Sequence, residues 1–203
     1  MDTSLLGLLI IIVISLFSII FHEVAHGYVA YLFKDKTAYH AGRLTLNPVP
    51  HIDLIGSIVV PIFSFILSGT LFGWAKPVPV NPRNLVGKYA DFWVSAAGVL
   101  MNLSLALTSL FVAHYLNVYG LLTKQVAEIF YALIIVNLSL FVFNLIPIPP
   151  FDGMSILQGL FPKLRIKSTL IYNPLYMLGA IIVASYVYSA VSPFVFNIVL
   201  GAL

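Results

Sequence analysis

Between Leu5 and Phe33 the chain carries an acid or an imidazole at one place only, where His22-Glu23-Val24-Ala25-His26 sets two imidazoles and a carboxylate within five residues. On either side the run is apolar and long enough for a helix to cross a bilayer, where a helix satisfies its own backbone hydrogen bonds without water. An ionisable side chain at that depth is costly and marks a site. Three of them together constrain everything the rest of the fold must supply.

Positions four apart share a helix face, so His22 and His26 can both turn an imidazole to one ion. Glu23 lies about a hundred degrees round the helix, beside that ion but off the line of its ligands. The placement suits a general base working on a water that a zinc ion has acidified to a pKa of roughly 7. The competing reading is a chance match to a short pattern. A water-exposed helix carries such residues cheaply, but this chain has seven acidic residues in all and sets one of them in lipid.

Composition supports the membrane reading. Of 203 residues 61% are hydrophobic and 8% charged, and the mean hydropathy is +1.03. Several uncharged runs reach the ~20 residues that a crossing helix needs. The chain therefore reads as an all-α polytopic membrane protein, one domain over residues 1–203, with a core over 4–160 and an additional span at about 175–200. A net charge of +3 implies no nucleic-acid partner, because lysines and arginines beside apolar spans ordinarily set orientation. With no cysteine, thiolate ligands and disulfides are excluded, and any zinc rests on His and carboxylate. The first apolar run lacks a basic n-region and a cleavage site, so it is not expected to be a signal peptide. No connector is long enough to fold as a separate soluble domain.

Taken in order, the first helix runs from about Ser4 to Phe33. A polar connector follows to Asp53, with alternation over 43–47 that suits a short extended segment and a turn at Asn47-Pro48. Residues 54–75 are uncharged but broken by Gly56, Pro61, Gly69 and Gly73, so they form either a fifth crossing or a re-entrant hairpin. Spans follow at about 92–117, 129–146 and 175–200, giving about four full transmembrane helices. If 54–75 crosses, the basic residues split six against four. If it returns to its own side, Lys34, Lys36, Arg43, Lys76, Arg83, Lys88, Lys163, Arg165 and Lys167 share one face of the membrane against Lys124 alone. Nine against one satisfies the positive-inside rule, and the same choice brings Asp152 to the depth of His22 and His26. Both termini then lie outside, and the metal lies nearer the cytoplasm.

A catalytic zinc needs a third protein ligand. The available groups are His40, His51, His114, Asp53, Asp91, Glu128 and Asp152. His40 and His114 read as interfacial rings, and Asp53, Asp91 and Glu128 lie at span ends where a charge reaches headgroups. His51 remains open because it lies near the site in sequence. Asp152 follows 23 uncharged residues and three prolines that stop a helix at membrane depth, which favours a ligand there over a helix N-cap.

Three segments in this order resemble the site-2 protease family of intramembrane metalloproteases: His22-Glu23-Val24-Ala25-His26, Gly98-Val99-Leu100-Met101-Asn102, and Asn144-Leu145-Ile146-Pro147-Ile148-Pro149-Pro150-Phe151-Asp152-Gly153. Residues 43–53 and 73–79 are similar to its compact prokaryotic branch, which lacks PDZ and CBS domains. The resemblance implies one zinc per chain held by His22, His26 and Asp152, with Glu23 as catalytic base, in a prokaryotic cell membrane. It implies a transmembrane protein substrate, contacted or stabilised as an oxyanion by Asn102 and Asn144. Read from the residues alone, those asparagines could equally bond helix to helix. The chain departs from the family's common proline at Val99 and Leu54. Two other classes compete: a metal transporter, which would want a path of further ionisable residues, and a silent membrane-helix binder with a structural zinc, which would not need Glu23. Substrate identity and oligomeric state are not legible.

Overall fold

The computed structural model describes residues 5–60, 62, 66, 73–164 and 174–201. Four helices are long and apolar enough to cross a membrane: α1 (Leu5–Leu32), α3 (Ala90–Val118), α4 (Lys124–Asn144) and α6 (Pro174–Leu200, apolar over Gly179–Val199). Two short helices connect them, α2 (Thr37–His40) and α5 (Asp152–Leu160). At 1.5 Å per residue the spans are roughly 30–45 Å long, enough for the ~30 Å hydrocarbon core. The protein is an all-α polytopic membrane protein.

Helices in lipid gain no hydrophobic advantage from touching one another, so they approach through small residues and polar contacts. The buried stripe of α3 follows that rule: Gly98, Asn102, Ala106, Ser109 and Ala113 recur every three or four residues. This stripe lets α3 pack against α1, α4 and α5, while α1 also touches α4. The α6 helix packs on α4, where Val195, Phe196 and Val199 close over the buried cluster of Ala106, Ile134 and Leu138. Large side chains such as Phe111, Leu175 and Phe194 point outward, as lipid-facing residues do.

The end of α1 is built to turn the chain inward. Lys34 takes a left-handed φ of 78°, its N–H donates to Tyr31 O at 3.0 Å, and the Asp35 N–H donates to Ala30 O at 2.9 Å. This is a Schellman turn, here without its usual glycine. It leaves the Asp35 carboxylate fully buried, accepting from Thr37 N and Oγ1, Asn81 N and Asn84 Nδ2. Asp35 thereby ties the segment after residue 80 to the foot of α1.

Residues 43–47 form bends, and no strand occurs among the described residues. The alternation there does not pair because its polar groups bond locally. Asn47 N donates to Thr45 Oγ1, Val49 N donates to Asn47 Oδ1, and Arg43 turns inward to donate to Lys76 O at 2.7 Å. The interior of 54–75, including Pro61 and Gly69, lies outside the described residues, but its two ends meet. Trp74 N donates to Gly56 O at 3.0 Å, Ser57 Oγ to Trp74 O at 2.9 Å, and Lys76 N to His51 O at 2.9 Å. The segment thus ends where it began, as a re-entrant path requires.

Candidate metal centre

His22 and His26 lie one turn apart on α1 and face Asp152, the first residue of α5. His22 Nε2 lies 3.1 Å and His26 Nε2 3.2 Å from Asp152 Oδ2, and the two Nε2 atoms are 3.1 Å apart. Three prolines stop the chain after α4, and Phe151 is extended, so Asp152 enters α5 with its side chain directed at the histidines. No side-chain capping bond forms at the start of that helix. Gly153 makes the approach possible, because a Cβ there would overlap the Leu145 main chain.

Each ring is held by its other nitrogen. His22 Nδ1 lies 2.6 Å from Asn102 Oδ1, and His26 Nδ1 lies 2.6 Å from Val94 O. Both partners accept, so each Nδ1 carries a proton and each ring turns its Nε2 to the centre, where a neutral ring offers a lone pair to a metal. Asp152 Oδ2 is buried and makes no hydrogen bond there. Three potential ligand atoms thus converge within 3.2 Å of one another, an arrangement that a cation resolves. Their separations match the edge of a tetrahedron, about 3.3 Å when metal–ligand bonds are about 2.0–2.1 Å. Gly98 leaves the room: a Cβ there would overlap His26 Nε2 and lie 2.6 Å from His22 Nε2. The residues therefore fit a zinc ion bound by two nitrogens and one oxygen, with a fourth position free.

Glu23 lies beside this cluster, where its Oε2 accepts from Val78 N at 2.8 Å. Val78 belongs to an extended strap, residues 76–81, held by Arg43 and His51 at one end and Asp35 at the other. Glu23, the two histidines, Asp152, the strap and Asn144 line one cavity of about 320 Å³.

Of the other sequence candidates, Asp91 lines the same cavity without joining the ligand cluster, and the rest fall elsewhere. His40 and His114 are exposed, and His51 is buried in the connector, where its ring Nε2 donates to Thr45 O at 2.9 Å. Asp53 accepts from Gly56 N at 2.6 Å and caps the helical turn after it. Among the described residues, His22, His26 and Asp152 form the one cluster able to hold a metal. Asn144 stands on the cavity wall, its Nδ2 donating to Leu140 O. Asn102 is fully buried behind His22, with its amide committed to His22, Asn137 and Ser18. Asn137 and Ser18 lie outside the family motifs that mark Asn102 and Asn144, yet Asn137 is an amide inside an apolar span, where a polar side chain needs a partner.

Comparison with known proteins gives the family. Residues 120–185 match the family model described as "Peptidase family M50". The chain is 41% identical over 173 residues to "Putative zinc metalloprotease YwhC" of Bacillus subtilis (strain 168), covering 82% of this chain and 75% of that protein. It is 28% identical over 158 residues to "Putative zinc metalloprotease Rip2" of Mycolicibacterium smegmatis (strain ATCC 700084 / mc(2)155), covering 76% of this chain and 59% of that one. No solved structure matches. With its paired histidines, aspartate and adjacent glutamate enclosed among apolar helices, the chain belongs to peptidase family M50, the site-2 protease family of intramembrane zinc metalloproteases.

Proposed function

We propose that this protein hydrolyses a peptide bond within or beside a transmembrane segment of another membrane protein, from a centre nearer the cytoplasmic face of a prokaryotic cell membrane. The observation that carries the reading is the convergence of His22 Nε2, His26 Nε2 and Asp152 Oδ2 next to Glu23 in one cavity among crossing helices. The orientation is supported by the nine basic residues that share one side once the ends of 54–75 meet.

His22, His26 and Asp152 hold the zinc. Bound there, zinc supplies Lewis-acid chemistry, polarising the scissile carbonyl and lowering the pKa of water. Glu23 takes the proton of the attacking water and delivers it to the leaving amine, and the Val78 N–H keeps that carboxylate in place between the two transfers. The ring hydrogen bonds to Asn102 and Val94 keep both histidines from turning away during turnover. Asn144, on the cavity wall, contacts the substrate backbone or its developing oxyanion. Asn102 lies behind the ligand rather than in the cavity, and its burial supports a role toward His22 instead. A substrate helix hides its carbonyls in its own hydrogen bonds, so it unwinds locally before it is cut.

The test pairs zinc content with cleavage of a model transmembrane substrate in detergent or bilayers. Wild type and Glu23→Gln should both retain zinc, with cleavage falling by about 10²–10⁴-fold in the variant. Asp152→Ala should lose zinc. Unimpaired cleavage by Glu23→Gln would overturn the proposed base, and undiminished zinc in Asp152→Ala would overturn the ligand set.

A further inference from the structure

A chain of buried side chains reaches His22 from the back of the bundle. Asn137 on α4, Asn102 on α3 and Ser18 on α1 are 0%, 0% and 3% exposed. Asn137 Nδ2 donates to Leu133 O at 2.9 Å and to Ser18 Oγ at 3.0 Å. Asn102 Nδ2 donates to Asn137 Oδ1 at 3.0 Å and, more weakly, to Ser18 O at 3.4 Å. Asn102 Oδ1 then faces His22 Nδ1.

The direction of this chain is not a free choice. Leu133 O and Ser18 O are main-chain carbonyls and can only accept. Turning the Asn102 amide over would set its oxygen against Asn137 Oδ1 and Ser18 O. Turning both amides over would set Asn137 Oδ1 against Leu133 O. Either reversal leaves two acceptors facing each other away from water, which costs on the order of 1–3 kcal/mol per unsatisfied group. Only one polarity satisfies every member, and it ends with an acceptor at His22 Nδ1.

We infer that Asn137, Asn102 and Ser18 form a polarity relay that fixes the tautomer of His22, placing its proton on Nδ1 and its lone pair on Nε2 at the metal position. Asn137 is the positioning residue that decides the direction, because it reads the Leu133 carbonyl and passes the result to Asn102. Ser18 is a lesser member, since Leu133 O holds Asn137 Nδ2 without it. The inference rests on the reading of His22 as a metal ligand, but the acceptor that faces Nδ1 is set by the protein alone and is in place before any ion binds.

The test uses the full chain in detergent, stripped of metal and carrying ¹⁵N-labelled histidine, with His22→Gln identifying the His22 signals. Wild type should show His22 protonated at Nδ1, and Asn137→Leu should show a mixture with the Nε2–H form. A His22 ring with no proton on Nδ1 in the wild type overturns the relay whatever the variants do. Zinc affinity, measured by competition with a chromophoric chelator, should weaken by roughly 10–100-fold in Asn102→Leu. Ser18→Ala should change affinity less than about threefold, far below the loss expected for an outer ligand partner. Wild-type affinity in Asn102→Leu, or an unchanged His22 signal in Asn137→Leu, overturns the proposal. Failure of wild type to bind zinc while His22 stays Nδ1-protonated would strike the ligand reading and spare the relay.

Discussion

At the scale of single residues, the centre depends as much on an absent side chain as on the ligands. Gly98 and Asn102 lie one turn apart on α3 and serve the same ring: one yields space at His22 Nε2, the other accepts from His22 Nδ1. The Gly-x-x-x-Asn spacing is therefore one device, an approach surface followed by an orienting acceptor. Gly98→Ala places a methyl group where the ion and the ring nitrogens belong, so zinc binding should fall by at least about tenfold while helix content stays unchanged. Zinc content and circular dichroism check this together. Gly179→Ala is the control, since nothing lies within 4 Å of a Cβ built there. Wild-type zinc in Gly98→Ala would mean that the helices yield and that the spacing is not set for the ion.

At the scale of elements, the short polar pieces between spans do the positioning. The strap over 76–81 brings an N–H to Glu23 only because both of its ends are anchored, one of them by Asp35. Burial pushes the Asp35 carboxyl up, but the bonds from Thr37, Asn84 and Asn81 outweigh it and hold the group below its ordinary value of 3.8. A pKa lowered on folding contributes stability that is present above about 3.8 and is lost as pH falls through the folded value. Asp35→Asn should therefore be less stable than wild type near pH 7, by about 1–3 kcal/mol for weakened charge-assisted bonds. Its unfolding should also lack the steepening that wild type shows below about pH 4. Thermal unfolding across pH checks both, and superimposable profiles would remove Asp35 from its anchoring role. None of this was legible in the residues: Lys34-Asp35-Lys36 reads as a charged helix end, and only the Schellman turn sends the middle residue inward.

At the scale of the whole molecule, the meeting of Gly56 with Trp74 and of His51 with Lys76 makes the path from α1 to α3 begin and end on one side. Two long helices, α3 and α4, then bring Asp152 back to the level of His22. The absence of cysteine makes the arrangement directly measurable. Single cysteines replacing Lys36, Arg83 and Lys163 should react with a membrane-impermeant maleimide from the cytoplasmic side, and one replacing Lys124 from the outside. Labelling of positions 36 and 83 from opposite sides would mean that 54–75 crosses.

The sequence alone determined which chemistry an apolar run of this chain carries. Charge is so costly in lipid that His22, Glu23 and His26 within a span, and Asp152 after three prolines, mark a functional centre before any fold is known. It also marked the four long apolar helices, because apolar length is a local property that needs no partner to be read, while it left 54–75 open between a crossing and a return. Tertiary structure decided what depends on a second element. Asn102 and Asn144 are the same residue type in similar apolar runs, yet packing sets one behind a histidine and the other on the cavity wall. Val94 O and Val78 N are ordinary main-chain groups until α1 and the strap lie against them. Hydrogen-bond partners distant in the chain are chosen by helix packing, and packing of small residues in lipid leaves little periodic trace in the sequence.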